Sequence, residues 1–372
     1  MIRRALLGAA ITAVAAAPAP AVHAQAAPVH AAPDAARLDG IVAAAGFSGV
    51  ALVGQGEGIA WQRSVGEASP GVPHAAESVW RLASVTKQLT ALIVMQEVAA
   101  GRLDLDAPMA TLWPGWPAPD AATITPRLLL THDSGLADPA ESRPDKDGIP
   151  EFYRRVGPAA DPARSAADFC ARSPRARAGS GYHYDNCDFI VLGGLLERLT
   201  GTPFAALLQQ RIAQPLGLAS LGLFRFDATP ARHVRGTVGG RAEPALNLGT
   251  YGAAGSAYIS PRDLWAFDRA LMENRLLDRI QTRAMWAGDP ALGFAAFGAW
   301  SYATRLAGCP DTVDLIERRG MIGGVQIRNF LNPARRAAVI LFTNTAEFDF
   351  GEVGEGRGFA YDMLSAAFCP AP

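Results

Sequence analysis

Apolar and polar positions alternate along the chain in a way that predicts most of its elements. Ser48–Val53 and Gly58–Val65 are apolar-rich runs flanking Gly54-Gln55-Gly56-Glu57, and turn residues between two such runs predict a β-hairpin. The next pattern has helical period: Val85, Leu89, Leu92, Ile93, Gln96 and Ala99 share a face, and the run stops at Gly101, which suits a helix C-cap. This helix is expected to be buried and central. From Leu103 to about Leu248 helices and turns alternate, with Pro-rich connectors at Trp113–Pro119 and Pro158–Pro162 and one clear helix, Ile190–Leu199, closed by Gly201. A further helix, Arg262–Asn274, follows Ser260-Pro261, where proline fits the first helical turn. Four strand-like runs come next, Phe297–Arg305, Thr312–Arg318, Val325–Leu331 and Ala337–Thr343, with Asn332-Pro333 as a turn and Gly358–Phe368 as a closing helix. Strands at both ends and helices between predict an α/β fold, an antiparallel-rich sheet flanked by helices. Residues 38–102 and 249–372 would form the sheet domain, and 103–248 an inserted, mostly helical domain.

Composition adds exclusions. The chain is 49% apolar and 19% charged, ordinary values for a globular protein. Its net charge of −1 provides no excess to hold a phosphate backbone, so nucleic acid is not an expected partner. His23, His30, His74, His132, His183 and His233 are scattered without the paired spacing of a zinc site, and neither a metal nor any other cofactor is implied. The N-terminus changes the picture more. Arg3 and Arg4 precede an apolar run, Ala5–Ala17, that is too short to span a bilayer and is ended by Pro18 and Pro20. Val22-His23-Ala24 then gives the small-x-small pattern of a cut, so residues 1–24 read as a signal peptide cleaved after Ala24 and residues 25–37 as a flexible Ala/Pro-rich leader. The mature protein is expected in the periplasm or outside the cell, with no membrane span. In that setting the four cysteines allow three pairings, of which Cys170–Cys187 with Cys309–Cys369 is expected; four unpaired small hydrophobes are the alternative.

The chemistry starts at Ser84-Val-Thr-Lys87, at the head of the first long helix. A spacing of three puts both side chains on one face, where the ammonium reaches the hydroxyl. A serine hydroxyl is a poor nucleophile until a neighbour takes its proton, and a lysine in a dry pocket has its pKa lowered toward that task. The helix N-terminus adds N–H groups that favour a developing oxyanion. Lys87 and Lys146 are the only lysines in the chain, so the pair is not a product of composition. The bland reading is Ser84 as a cap and Lys87 as a solvated charge.

Three further segments extend the pattern: Gly101-Arg-Leu-Asp-Leu-Asp106, Leu128-Leu-Leu-Thr-His-Asp-Ser-Gly-Leu136, and Tyr184-Asp185-Asn186 followed by Gly193-Gly-Leu-Leu-Glu197. With Leu82-Ala-Ser-Val-Thr-Lys-Gln-Leu-Thr-Ala91 they resemble, in order, the serine β-lactamase/penicillin-binding family in its class C, D,D-peptidase and related esterase branch. The resemblance runs from about Leu38 to the C-terminus. It implies an acyl-enzyme on Ser84, with Lys87 and Tyr184 relaying the proton, and leaves open which of the two is the base. It also implies that Asn186 hydrogen-bonds the substrate amide or the lysine. Where the family has Lys-Thr-Gly or His-x-Gly, this chain reads Arg318-Arg319-Gly320-Met321. Arg318, Arg319 and Gly320 are expected to line the substrate, and the Met321 N–H to pair with that of Ser84 as an oxyanion hole. Arg318 stays charged at any working pH, so it passes no proton but can clamp a carboxylate, or it narrows the pocket.

His132 and Ser134 sit close together but lack the Gly-x-Ser-x-Gly of an α/β-hydrolase, and read as a helix-ending turn. The expected function is an exported serine hydrolase acting on a small ester, a D-amino-acid peptide or a β-lactam, with a small-molecule or short-peptide partner, peptidoglycan fragments included. The competing expectation is a catalytically silent or slowly acylated protein that binds cell-wall fragments or β-lactams.

Overall fold

In the computed structural model the described residues are 32–369, apart from 173 and 227–232. The signal peptide, its cut after Ala24 and most of the expected leader lie outside them. Order begins earlier than the Ala/Pro composition predicts. Helix α1, Ala35–Ala44, starts within the expected leader because Asp34 caps it, accepting from the Arg37 N–H at 3.0 Å, and because Leu38 and Val42 are buried.

The predicted hairpin is β1, Gly49–Gln55, and β2, Gly58–Val65. A single 3₁₀ turn, Ala83–Val85, leads into α2, Thr86–Ala99, which is buried on nearly every side. Its apolar periodicity therefore marks a helix inside the protein rather than one lying on it. Helix α3, Cys187–Thr200, is bonded at its first residue to Cys170, and α4, Pro261–Met272, is capped by the Ser260 hydroxyl on the Asp263 N–H. The C-terminal strands follow: β3, Ala295–Ala296; β4, Ala299–Arg305; β5, Thr312–Ile322; β6, Val325–Asn332; and β7, Ala337–Thr343. Helix α5, Phe359–Phe368, closes the chain, and the adjacent Cys369 is joined to Cys309. Both expected disulfides are present.

Among the described residues the main sheet has seven strands in the order β3-β4-β5-β6-β7-β1-β2, every neighbour antiparallel. The pairing of β1 with β7 joins the two ends of the sequence, with Val50 opposite Phe342. Alternation then sorts the side chains. Val50, Leu52, Ile340 and Phe342 pack in one core with Leu89 and Leu92 of α2, whereas Ala51, Val53, Val339 and Leu341 pack in another with Leu38 of α1 and Met363 of α5. Leu129, Phe189 and Val191, from between the two halves of the sheet, belong to the first core.

Two strands differ from their predicted extents, and both differences shape the site. The run Phe297–Arg305 is broken at Gly298, whose φ of +72° turns the chain between β3 and β4. Strand β5 continues past Arg318 to Ile322, but its register with β4 ends at Trp300 opposite Glu317. Residues 318–322 are thus paired on one side by β6 and leave their other edge open. Among the described residues no single helix is long and apolar enough to cross a membrane.

The disulfides give a direct test. Alkylation of unreduced, unfolded protein should add no mass, and reduction first should add four groups. Replacing Cys309 and Cys369 by Ser, which opens a bridge of sequence separation 60, should lower stability by about 2–4 kcal/mol in urea titration.

Candidate active site

Ser84 lies in the 3₁₀ turn ahead of α2, and the residue before it, Ala83, has φ +46°. A non-glycine residue seldom adopts that left-handed backbone, and its presence here fixes where the Ser84 side chain leaves the chain. The Ser84 Oγ is 2.5 Å from the Tyr184 hydroxyl and accepts from Lys87 Nζ at 3.2 Å. Lys87, one helical turn on, is fully buried. Its ammonium also donates to Asn186 Oδ1 at 2.8 Å and to the Ala254 carbonyl at 2.9 Å. Asn186 is thus turned toward the lysine. Its Nδ2 donates away from Lys87, to the Tyr153 hydroxyl at 3.1 Å and Asp138 Oδ1 at 3.5 Å. Of the two partners expected for Asn186, substrate or lysine, the geometry has the lysine.

The electrostatics follow from burial and from two cations. Burial pushes the Lys87 ammonium below its ordinary value; the nearby Tyr184 opposes this and Arg318 adds to it. For the Tyr184 phenol, burial alone would push upward. The nearby cations of Lys87 and Arg318, with the hydrogen bond to Ser84, outweigh it and leave the phenol below its ordinary value. Both groups are therefore shifted in the direction a proton acceptor at moderate pH needs.

Arg318 is buried, with its Nε donating to the Ser84 carbonyl at 2.9 Å and its Nη2 to the Tyr184 hydroxyl at 3.1 Å. Arg319, its neighbour on β5, is engaged elsewhere. It is paired with Glu317 and with Glu352, and the second contact is 2.7 Å. Arg319 lines the same cleft as Arg318, but alternation along β5 gives its guanidinium a different set of partners, the two glutamates. Gly320 meets the Ser84 turn directly. A Cβ there would sit 2.5 Å from the Leu82 carbonyl oxygen and 3.3 Å from the Ser84 nitrogen. Met321 follows on the open edge and is 62% exposed. Ser84, Tyr184, Arg318, Arg319, Gly320 and Met321 line a cleft of about 470 Å³, and Tyr182 and Trp300 are among its other walls.

Those last two aromatics carry no sequence signal, nor do Tyr153, Asp138 or the Ala254 carbonyl. They are ordinary residues made relevant only by where the chain returns. His132 and Ser134 form the support behind Tyr184. The His132 ring lies 4.5 Å from that of Tyr184, and its Nδ1 is 3.0 Å from Asp188 Oδ2, while Ser134 donates to the other Asp188 oxygen. Burial, reinforced by the cations of Arg318 and Lys87, drives His132 well down, so it is neutral. Burial pushes the Asp185 and Asp188 carboxyls up. His132, Asp185 and Asp188 bring ligand-type atoms within 4.8 Å of one another, but Asp188 already has both oxygens engaged.

The geometry agrees with three comparisons. A sequence profile described as Beta-lactamase matches residues 35–358. The chain is 34% identical over 222 residues to the esterase EstB of Burkholderia gladioli, covering 56% of this chain and 52% of that one. It is 27% identical over 340 residues to the D-alanyl-D-alanine-carboxypeptidase/endopeptidase AmpH of Escherichia coli (strain K12), covering 86% and 85%. The chain therefore spans about half the length of the first and most of the second. Among solved structures, a D-stereospecific amidohydrolase from Streptomyces sp. is similar with a TM-score of 0.73 at 25% identity, covering 91% of this chain and 100% of the other.

The supporting role of Ser134 is separable from chemistry. Ser134→Ala removes a donor from buried Asp188, and should cost about 1–3 kcal/mol in thermal or urea unfolding while leaving the rate of Ser84 modification within a few-fold of wild type. Complete loss of reactivity in a folded variant would show that Ser134 takes part in the reaction.

Proposed function

The chain belongs to the Beta-lactamase family, and from that premise we propose that it is an exported serine hydrolase that forms an acyl-enzyme on Ser84 and passes the acyl group of an ester or amide to water. One observation carries the reading: the Ser84 hydroxyl is within 2.5 Å of Tyr184 and 3.2 Å of Lys87, two groups whose affinity for protons is lowered together. A silent binding protein would have no need of that contact. The Ser84 proton passes to the Lys87–Tyr184 pair as Oγ attacks the carbonyl. Each group's charge acts on the other, so the base is assigned to the pair rather than to one member. The oxyanion is held by the N–H groups of Ser84 and Met321, from the turn before α2 and the open edge of β5. The pair returns the proton to the leaving group, and water repeats the sequence to free the acid.

Export rests on the pattern of residues 1–24. For substrate, the relatives' names include an esterase, a carboxypeptidase/endopeptidase and an amidohydrolase. With Arg318-Arg319-Gly320 in place of Lys-Thr-Gly, small esters and D-amino-acid amides or peptides rank above β-lactams.

The first experiment is hydrolysis of an activated ester by protein starting at Gln25. Ser84→Ala should abolish it, and Lys87→Ala should lower kcat by about 10²–10⁴ with KM little changed. Equal, inert behaviour of wild type and Ser84→Ala would favour the binding protein. For pH, the reactive form needs the pair to be short of a proton, and both members lie below their ordinary values of 10.5 and 10.0. The rate should fall as pH falls through the pair's value, so the acid limb of kcat/KM should lie below pH 10; a limb at or above 10 would contradict the lowered pair.

A further inference from the structure

We propose that Arg318 is the internal counter-cation of Ser84 and Tyr184 rather than a receptor for substrate, so that the cleft selects esters and amides whose leaving group carries no carboxylate. The inference rests on the hydrolase reading above and names the substrate class of the same site.

A guanidinium recognises a carboxylate best through two parallel N–H groups on one side. In Arg318 the side-on pair, Nε and Nη2, is already bound to the Ser84 carbonyl and the Tyr184 hydroxyl, at 2.9 and 3.1 Å. The group is also held in orientation, lying over the Trp300 ring at 5.0 Å and the Tyr184 ring at 5.4 Å. Turning it toward a ligand would remove its donors from both oxygens beside the nucleophile. The other cations that line the cleft, Arg319 and Arg328, are not free either. Arg319 is paired with Glu317 and Glu352, and Arg328 lies 3.5 Å from Glu317 and 3.8 Å from Glu352. A carboxylate entering this cleft would lose water where Arg319 and Arg328 are already paired with glutamates and where Arg318, though no carboxylate pairs it, has its side-on N–H groups engaged. What the cleft does offer is the faces of Tyr182 and Trp300 and the exposed Met321 side chain, surfaces suited to an uncharged group.

The test is a matched pair of esters, 3-carbamoylphenyl acetate and 3-carboxyphenyl acetate, which share an acyl group and differ in charge on the leaving group. Wild type should favour the neutral ester by about 10-fold or more in kcat/KM. Arg318→Gln and Arg318→Lys should lower kcat on both esters by a common factor, with Lys the less affected, and leave the ratio of their KM values unchanged. Preference of wild type for the acid would overturn the proposal, as would a rise in KM for the acid alone in Arg318→Gln. The wild-type ratio stands as a test even where a variant fails to fold. Intact mass after exposure to a fluorophosphonate separates this proposal from the reading beneath it. Labelled Ser84 with a preference for the acid removes the Arg318 assignment only, whereas folded protein that is neither labelled nor active removes the hydrolase reading.

Discussion

An ammonium group without water around it must find its acceptors in the protein, and meeting that demand at Lys87 organises most of what surrounds the cleft. A buried charge left unpaired would cost several kcal/mol. Its acceptors come from three segments that are far apart in sequence: the Ser84 turn, Asn186 ahead of α3, and Ala254 in the turn ahead of α4. The same helix face fastens that last turn twice more. Thr90 donates to the Ala253 carbonyl at 2.7 Å, and Thr86 accepts from the Ala257 N–H at 3.1 Å. On the other side Asn186 is steadied by Tyr153, and the Cys170–Cys187 bond ties down the residue next to it.

Once the lysine is in place, the balance of charge above it explains the rest of the centre. Two cations, Lys87 and Arg318, lie beside Tyr184, and two of the nearby acids do little to cancel them. Asp185 and Asp188 are pushed by burial toward their neutral forms, and His132 is neutral as well. Positive charge is therefore concentrated where a proton must leave Ser84. The arginine at 318 retains the charge of the Lys or His found in the resembled family, but its planar head reaches two oxygens at once, which a lysine ammonium on a flexible stem does less rigidly.

How much of this was legible in the sequence depends on the range of each interaction. The hairpin around Gly56, the buried helix after Ser84, the helix closed by Gly201 and the C-terminal strands all follow from period and turn chemistry, which act over a few residues. Ser84 and Lys87 could be read as a pair because a helix sets three-residue neighbours side by side. Tyr184 and Asn186 were reached only through resemblance, since nothing in their local pattern points a hundred residues back to Lys87. The early start of α1 was hidden by an Ala/Pro-rich composition that its Asp34 cap and buried Leu38 override.

By itself, then, the sequence determined the elements, their order, the nucleophile with its lysine, and an arginine where a lysine or histidine was expected. Tertiary structure decided what that arginine does. From residue types alone Arg318 was as suited to hold a substrate carboxylate as anything else. Its engagement with Ser84 and Tyr184 exists only because β5 runs on past the end of β4 and Gly320 lets that edge approach the Ser84 turn. A side chain's chemistry is local and can be read from its letter. Its partners are set by how distant segments pack, and no short-range pattern encodes that.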